Sequence, residues 1–125
     1  MNQPAPAILE EGVLEELRAS VHGDRSFVVE LIEAYLADGA TQVAEVEAAA
    51  ADGDAASLVR PAHTLKSSSA TVGAQRLAAL AREFEVAGRS GSLDASLAER
   101  VPQLREAWEE ATAALRAWVE RGSGS

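Results

Sequence analysis

The stretch Leu58-Val-Arg-Pro-Ala-His-Thr-Leu-Lys-Ser-Ser-Ser-Ala-Thr-Val-Gly-Ala74 decides the reading of this chain. On a helix turning about 100° per residue, Leu58, Ala62, Leu65, Ser69 and Val72 fall within about 40° of one line, and that line is the stripe expected to be buried. His63 lies about 140° from Leu58, among Ala56, Val59, Lys66, Ser67 and Ala70, and is expected to face water. Gly73 closes the segment as a helix-ending glycine. Pro61 removes one helix hydrogen bond just before the histidine and is a candidate bend.

Working outward, glycines divide the remainder into helix-length pieces: Gly23, Gly53, Gly73 and the Gly88/Gly91 pair. The spacing predicts a short amphipathic helix over 8–21, with His22-Gly23-Asp24 as helix end, turn and new cap. A long helix follows over 24–51, with Phe27, Leu31, Tyr35, Val43 and Val46 as its apolar stripe and Gly39 as a weak point or bend. Helices are expected over 54–72 and 74–87, the latter burying Leu77, Leu80, Ala81 and Phe84. The last helix carries Leu104, Trp108, Ala111, Leu115 and Trp118, with an opening turn after Asp94 and Pro102 in its first turn or at a kink. Both tryptophans read as core or interhelix residues in preference to a ligand site. Connections of two to six residues make neighbours antiparallel. The expected fold is all-α, an antiparallel up-down four-helix bundle with an additional short N-terminal helix as a lid. Its domain is read over 8–121, with flexible ends at 1–7 and 122–125.

Composition agrees. Twenty-seven alanines against thirteen Val and Ile and five aromatics, in 125 residues, favour helix over strand. With no cysteine and two histidines, disulfides, thiolate metal sites and a cysteine nucleophile are excluded. A net charge of −9 argues against sequence-independent nucleic-acid binding. The chain contains neither an export-signal pattern nor an apolar run long enough to span a membrane, so a cytoplasmic monomer is expected.

Charge is unevenly spread, however. Between Ala55 and Arg82 stand Arg60, Lys66, Arg76 and Arg82, with no Asp or Glu among them, and Lys66 is the only lysine. A basic patch around an exposed imidazole suits a phosphoryl group or an acidic partner; the plain alternative is a solvated face. His22, beside a turn glycine, reads as a helix-terminus residue without function. Ser67-Ser68-Ser69 lacks a nucleophile elbow, and no acid adjacent in sequence would orient His63, so a hydrolase triad is not supported.

The run Ala62-His-Thr-Leu-Lys-Ser-Ser-Ser-Ala-Thr-Val-Gly-Ala74 resembles the signature of the histidine-containing phosphotransfer (HPt) domains of multistep phosphorelays, His-x-Leu-Lys-Gly-Ser-Ser followed by an apolar residue, Gly and a small residue. Looser similarity covers most of the chain. The clearest departure is Ser67, where the family most often has Gly. The resemblance implies that His63 accepts a phosphoryl group from a receiver domain's aspartyl phosphate and passes it to another receiver, with Lys66 stabilising phosphate charge. Receiver domains are the implied partners, a hybrid sensor kinase is a further candidate, and Mg²⁺ would come from the receiver, the chain having no cofactor of its own. Ala56, Val59, Arg60, Ser67, Ala70 and Glu85 would line the partner-facing side. Glu85 also matches a family position whose polar side chain reaches the imidazole; its plain alternative is a solvated helix residue.

An imidazole titrates near pH 6.5, so a free ring nitrogen is available as nucleophile at neutral pH. No Walker-type or kinase glycine motif is present, which excludes self-phosphorylation from ATP. Two other readings compete. One is a non-catalytic helical interaction bundle without phosphate traffic, against which Lys66 and the small residues around His63 argue. The other is a sensor-kinase dimerisation domain, which ranks last because Thr64, not an acid, follows His63, and the nearby proline precedes it.

Overall fold

The computed structural model describes residues 7–123, with side chains described over 7–121. It contains five helices, α1 (Glu11–Ser20), α2 (Arg25–Ala51), α3 (Ala55–Val72), α4 (Gln75–Ser90) and α5 (Ala95–Ser123), and among the described residues there is no strand. Three helices begin on an aspartate that accepts a first-turn amide: Asp24 from Ser26, Asp54 from Ser57 and Asp94 from Leu97. A carboxylate there satisfies an amide left without an intrahelical partner and meets the positive end of the helix dipole. α4 begins differently. Its cap residue, Ala74, has no side chain to offer, and the Arg76 amide donates instead to the carbonyl of Ala7 at 2.8 Å.

Packing forms a closed cycle: α2 on α3, α3 on α4, α4 on α5 and α5 back on α2, with α1 against α2 and α3. The core holds Leu58, Ala62, Leu65, Ser69 and Val72, the expected stripe of α3, together with Phe84, Leu104, Trp108, Leu115 and Trp118. Pro61 is buried within α3, and the helix runs on through it. Pro102 is likewise inside α5, which starts directly after Asp94.

The stripe of α2 matches expectation at Tyr35, Val43 and Val46 and differs in the first two turns. Its buried residues are Val28, Ile32, Tyr35, Gly39, Val43, Val46 and Ala49, while Phe27 is 47% exposed and Leu31 only half-buried. The first two turns carry apolar residues on adjacent faces, so periodicity alone admitted either set, and packing selected Val28 and Ile32 in place of Phe27 and Leu31. Gly39 is no bend. α2 is continuous, and a Cβ at Gly39 would stand 2.5 Å from Trp108 Cζ3. The glycine is the seat of the indole, which also meets Tyr35 with ring centroids 5.6 Å apart. Tyr35 in turn shares a 2.7 Å hydrogen bond with Ser69, the fully buried hydroxyl in the α3 stripe.

The α3–α4 turn positions the histidine's surroundings. Gly73 adopts φ +86°, and a Cβ there would lie 2.6 Å from the Glu10 carbonyl, so both the turn and the segment crossing it require glycine. Glu10 donates its amide to the Gly73 carbonyl at 2.7 Å. Gly88, read from sequence as the end of the fourth helix, is inside α4; the left-handed cap is Gly91. A Cβ on Gly88 would meet the Ala55 carbonyl at 2.8 Å and Val59 Cγ2 at 2.9 Å, so its bare backbone lets α4 lie directly on α3. Of the ends read as flexible, residues 1–6 and 124–125 lie outside the described residues, whereas Gly122 and Ser123 continue α5.

Candidate functional site

His63 stands near the middle of α3 on its outward side, with its side chain 55% exposed. Across the α3–α4 contact, one carboxylate organises the site. Glu85 Oε2 is 2.8 Å from His63 Nδ1, Glu85 Oε1 is 2.6 Å from Lys66 Nζ, and Arg89 directs both Nε (3.1 Å) and Nη2 (2.8 Å) to Oε2. The Glu85 side chain is only 7% exposed. Its pKa is drawn down from 4.5 to about 2, first by the Lys66 hydrogen bond, then by Arg89, with burial opposing and His63 adding a smaller pull. An ionised carboxylate only accepts hydrogen bonds, so Nδ1 donates to Oε2, and in the neutral imidazole the lone pair is then on Nε2, directed away from Glu85.

These contacts revise part of the sequence reading. Glu85 reaches the imidazole, as the family position it matches implied, and is an internal partner of the histidine, not one of the partner-facing residues with which it was also grouped. The orienting acid that the neighbouring sequence lacks is supplied from the next helix. Arg89 escaped notice altogether; its signal was the i, i+4 spacing from Glu85 on one helix. Nor is the basic stretch one bare +4 face. Lys66 is paired with Glu85, and Arg76 turns to α5, where it pairs with Glu110 and lies 3.8 Å from Glu106. Arg60 makes no ion pair among the described residues. Ala56, Arg60, Ser67 and Ala70 are exposed around His63, and Val59 is half-buried against α4. His22 is exposed in the α1–α2 turn at φ +59°, remote in role from this cluster.

The site is a surface, not a pocket. A groove of about 710 Å³ between α4 and the start of α5, lined by Arg82, Val86 and Leu97 among others, does not include His63. Among the described residues no group of three or more His, Cys, Asp or Glu side chains stands close enough to hold a metal ion. No described helix is long and apolar enough to cross a membrane. What the arrangement offers is one nucleophilic nitrogen, oriented from behind and open in front to something large.

The model of the Hpt domain matches residues 30–118, a span that includes His63, Lys66, Glu85 and Arg89. The chain belongs to the Hpt domain family. Hpt proteins are phosphotransfer intermediates, not kinases, and interact with receiver domains and kinases in phosphorelays; histidine phosphotransfer in phosphorelays is the role of this chain. The solved structure of histidine-containing phosphotransfer protein B (HptB) from Pseudomonas aeruginosa PAO1 is similar in fold, with a TM-score of 0.80 over 96% of this chain and 98% of that one, at 23% identity. A comparison with curated proteins gave no match.

Proposed function

We propose that His63 is the phosphoacceptor of this Hpt protein and that Nε2 is the reacting atom. The observation that carries the reading is the Nδ1–Glu85 hydrogen bond beneath an exposed ring. In the proposed step the Nε2 lone pair attacks the phosphorus of a receiver's aspartyl phosphate; the N–P bond forms, the P–O bond breaks, and the aspartate leaves as carboxylate. The ring gains positive charge while its Nδ1 proton stays on the hydrogen bond to Glu85, whose negative charge stabilises it. Transfer onward reverses these bonds on a second receiver.

The remaining roles follow the same logic. Ala56, Val59, Arg60, Ser67 and Ala70 form the docking surface around the imidazole, the small size of Ala56, Ser67 and Ala70 keeping the ring approachable. Mg²⁺ held by the receiver would neutralise phosphoryl oxygens, and the chain supplies no cofactor of its own. The cycle of helix contacts supports an antiparallel four-helix bundle with α1 as the additional helix. The working form is read as a cytoplasmic monomer without ATP-dependent activity of its own.

The test is label transfer. Mixed with a phosphorylated receiver and Mg²⁺, the protein acquires acid-labile, base-stable phosphate; ATP alone gives none. His63→Gln removes the label while the helical spectrum persists, and His22→Gln keeps it. Label remaining on the His63→Gln protein would remove the assignment.

A further inference from the structure

Which cation holds the phosphoryl group once it is on the histidine is a separate question, and the charges around His63 answer it unevenly. Lys66 and Arg89 are both bound to Glu85, at 2.6 and 2.8 Å, on the Nδ1 side of the ring. The two nitrogens of an imidazole direct their bonds well apart, so a phosphoryl group on Nε2 projects away from Glu85 and from the cations that Glu85 engages. Arg60 lies one helical turn before His63, a spacing that puts Cβ atoms about 5–6 Å apart on the surface of a helix. Side chains lean toward the helix N-terminus, which tips the imidazole over the turn that carries Arg60. Arg60 is exposed and has no hydrogen-bond or ion-pair partner among the described residues. Its guanidinium is free to present a two-pronged donor face to phosphate oxygens.

We propose that Arg60 is the specificity residue that grips the phosphoryl group on His63 Nε2, while Lys66 remains with Glu85. The inference rests on the phosphotransfer reading of His63. It differs from a mere contribution of Arg60 to receiver encounter, because the grip persists in the phosphorylated protein with no partner present.

The experiment therefore uses the full chain phosphorylated by phosphoramidate: Nε2 attacks phosphorus, the N–P bond forms, the donor's own P–N bond breaks and ammonia leaves. The phosphorus NMR titration of the phosphohistidine reports the last phosphoryl ionisation, which a neighbouring cation lowers. Arg60→Ala is expected to raise that pKa by about half a unit or more, and Arg60→Lys to restore part of the shift. Lys66→Ala moves it less than Arg60→Ala, and Arg82→Ala, an equal loss of charge on α4, leaves it in place. A half-unit corresponds to about threefold, so the share of phosphate resting on this protein at equilibrium with a receiver falls by about that factor in Arg60→Ala. A titration unchanged in Arg60→Ala, or moved further by Lys66→Ala, overturns the proposal. Label on His63 from phosphoramidate but never from a receiver would overturn the phosphotransfer reading while leaving the Arg60 titration intact; no label on His63 at all overturns both.

Discussion

His63 Nδ1 and Glu85 Oε2 lie 2.8 Å apart, joining an exposed ring to a carboxylate that is almost wholly buried. The pair lets one residue face a partner while its orientation is set from inside the fold. Lys66 and Arg89 keep the carboxylate ionised, so the same cluster fixes the ring and supplies the negative charge that a phosphorylated imidazolium needs.

Glu85→Ala is expected to act in opposite directions on two steps. Losing a hydrogen bond to a charged group costs about 1.5–3 kcal/mol, so the transfer step slows roughly tenfold or more. Freed Lys66 and Arg89 make the face more positive, and association with an acidic receiver speeds up, most visibly at low salt. Glu85→Gln keeps an acceptor for Nδ1–H and falls between. Rapid-quench transfer measured over a range of receiver concentrations separates the two effects; a uniform loss in association alone would contradict the orienting role.

Acid stability carries the signature of the same carboxylate. Because folding lowers the Glu85 pKa from 4.5 to about 2, its contribution is fully present above pH 4.5 and is lost as pH falls toward 2. The melting temperature of wild type should therefore exceed that of Glu85→Gln at pH 7, and the gap should close between pH 4.5 and 2. A gap independent of pH would assign the difference to packing.

Much of this architecture was legible in the sequence, for local reasons. Asp24, Asp54 and Asp94 each cap a helix within three residues of themselves, and the α3 stripe of Leu58, Leu65 and Val72 is cleanly amphipathic. What was not legible depends on how one helix sits on another. Phe27 and Val28 are equally apolar neighbours, and only the packing partners determine which is buried. Gly39 and Gly88 have the composition of breaks and the function of contact points. Glu85 meets His63 across 22 residues of chain, a contact that the family resemblance implied but that no local spacing encodes; the Arg89 contact to the same carboxylate was read from neither.

Gly39→Ala tests that distinction by its sign. If the glycine were a weak point, alanine would stabilise α2 by about 1 kcal/mol through helix propensity. Instead its Cβ would stand 2.5 Å from the buried Trp108 ring, which has little room to retreat beside Tyr35. Overpacking of this kind costs about 1–3 kcal/mol, which offsets or exceeds the propensity gain, so we expect a net loss of up to about 2 kcal/mol in urea unfolding. A gain in stability would return Gly39 to the role of a simple helix defect.

Gly88→Ala carries the packing argument into the chemistry. The new Cβ would meet the Ala55 carbonyl at 2.8 Å and Val59 Cγ2 at 2.9 Å, and a backbone oxygen cannot rotate aside as a long side chain can. α4 must therefore move off α3. Glu85 is three residues away on the same helix, one turn along the same contact, so its carboxylate withdraws from His63. Two measurements should change together. Unfolding free energy falls by up to about 2 kcal/mol, the overpacking cost less the helix-propensity gain, and the ring nitrogens of His63 lose the fixed Nδ1–H form in nitrogen NMR as the orienting acceptor recedes. Transfer from a receiver then slows toward the level of Glu85→Ala, although residue 88 itself never touches the imidazole or the phosphoryl group. A destabilised protein whose His63 keeps its tautomer and its transfer rate would show that the Glu85 contact survives without the close approach of the two helices.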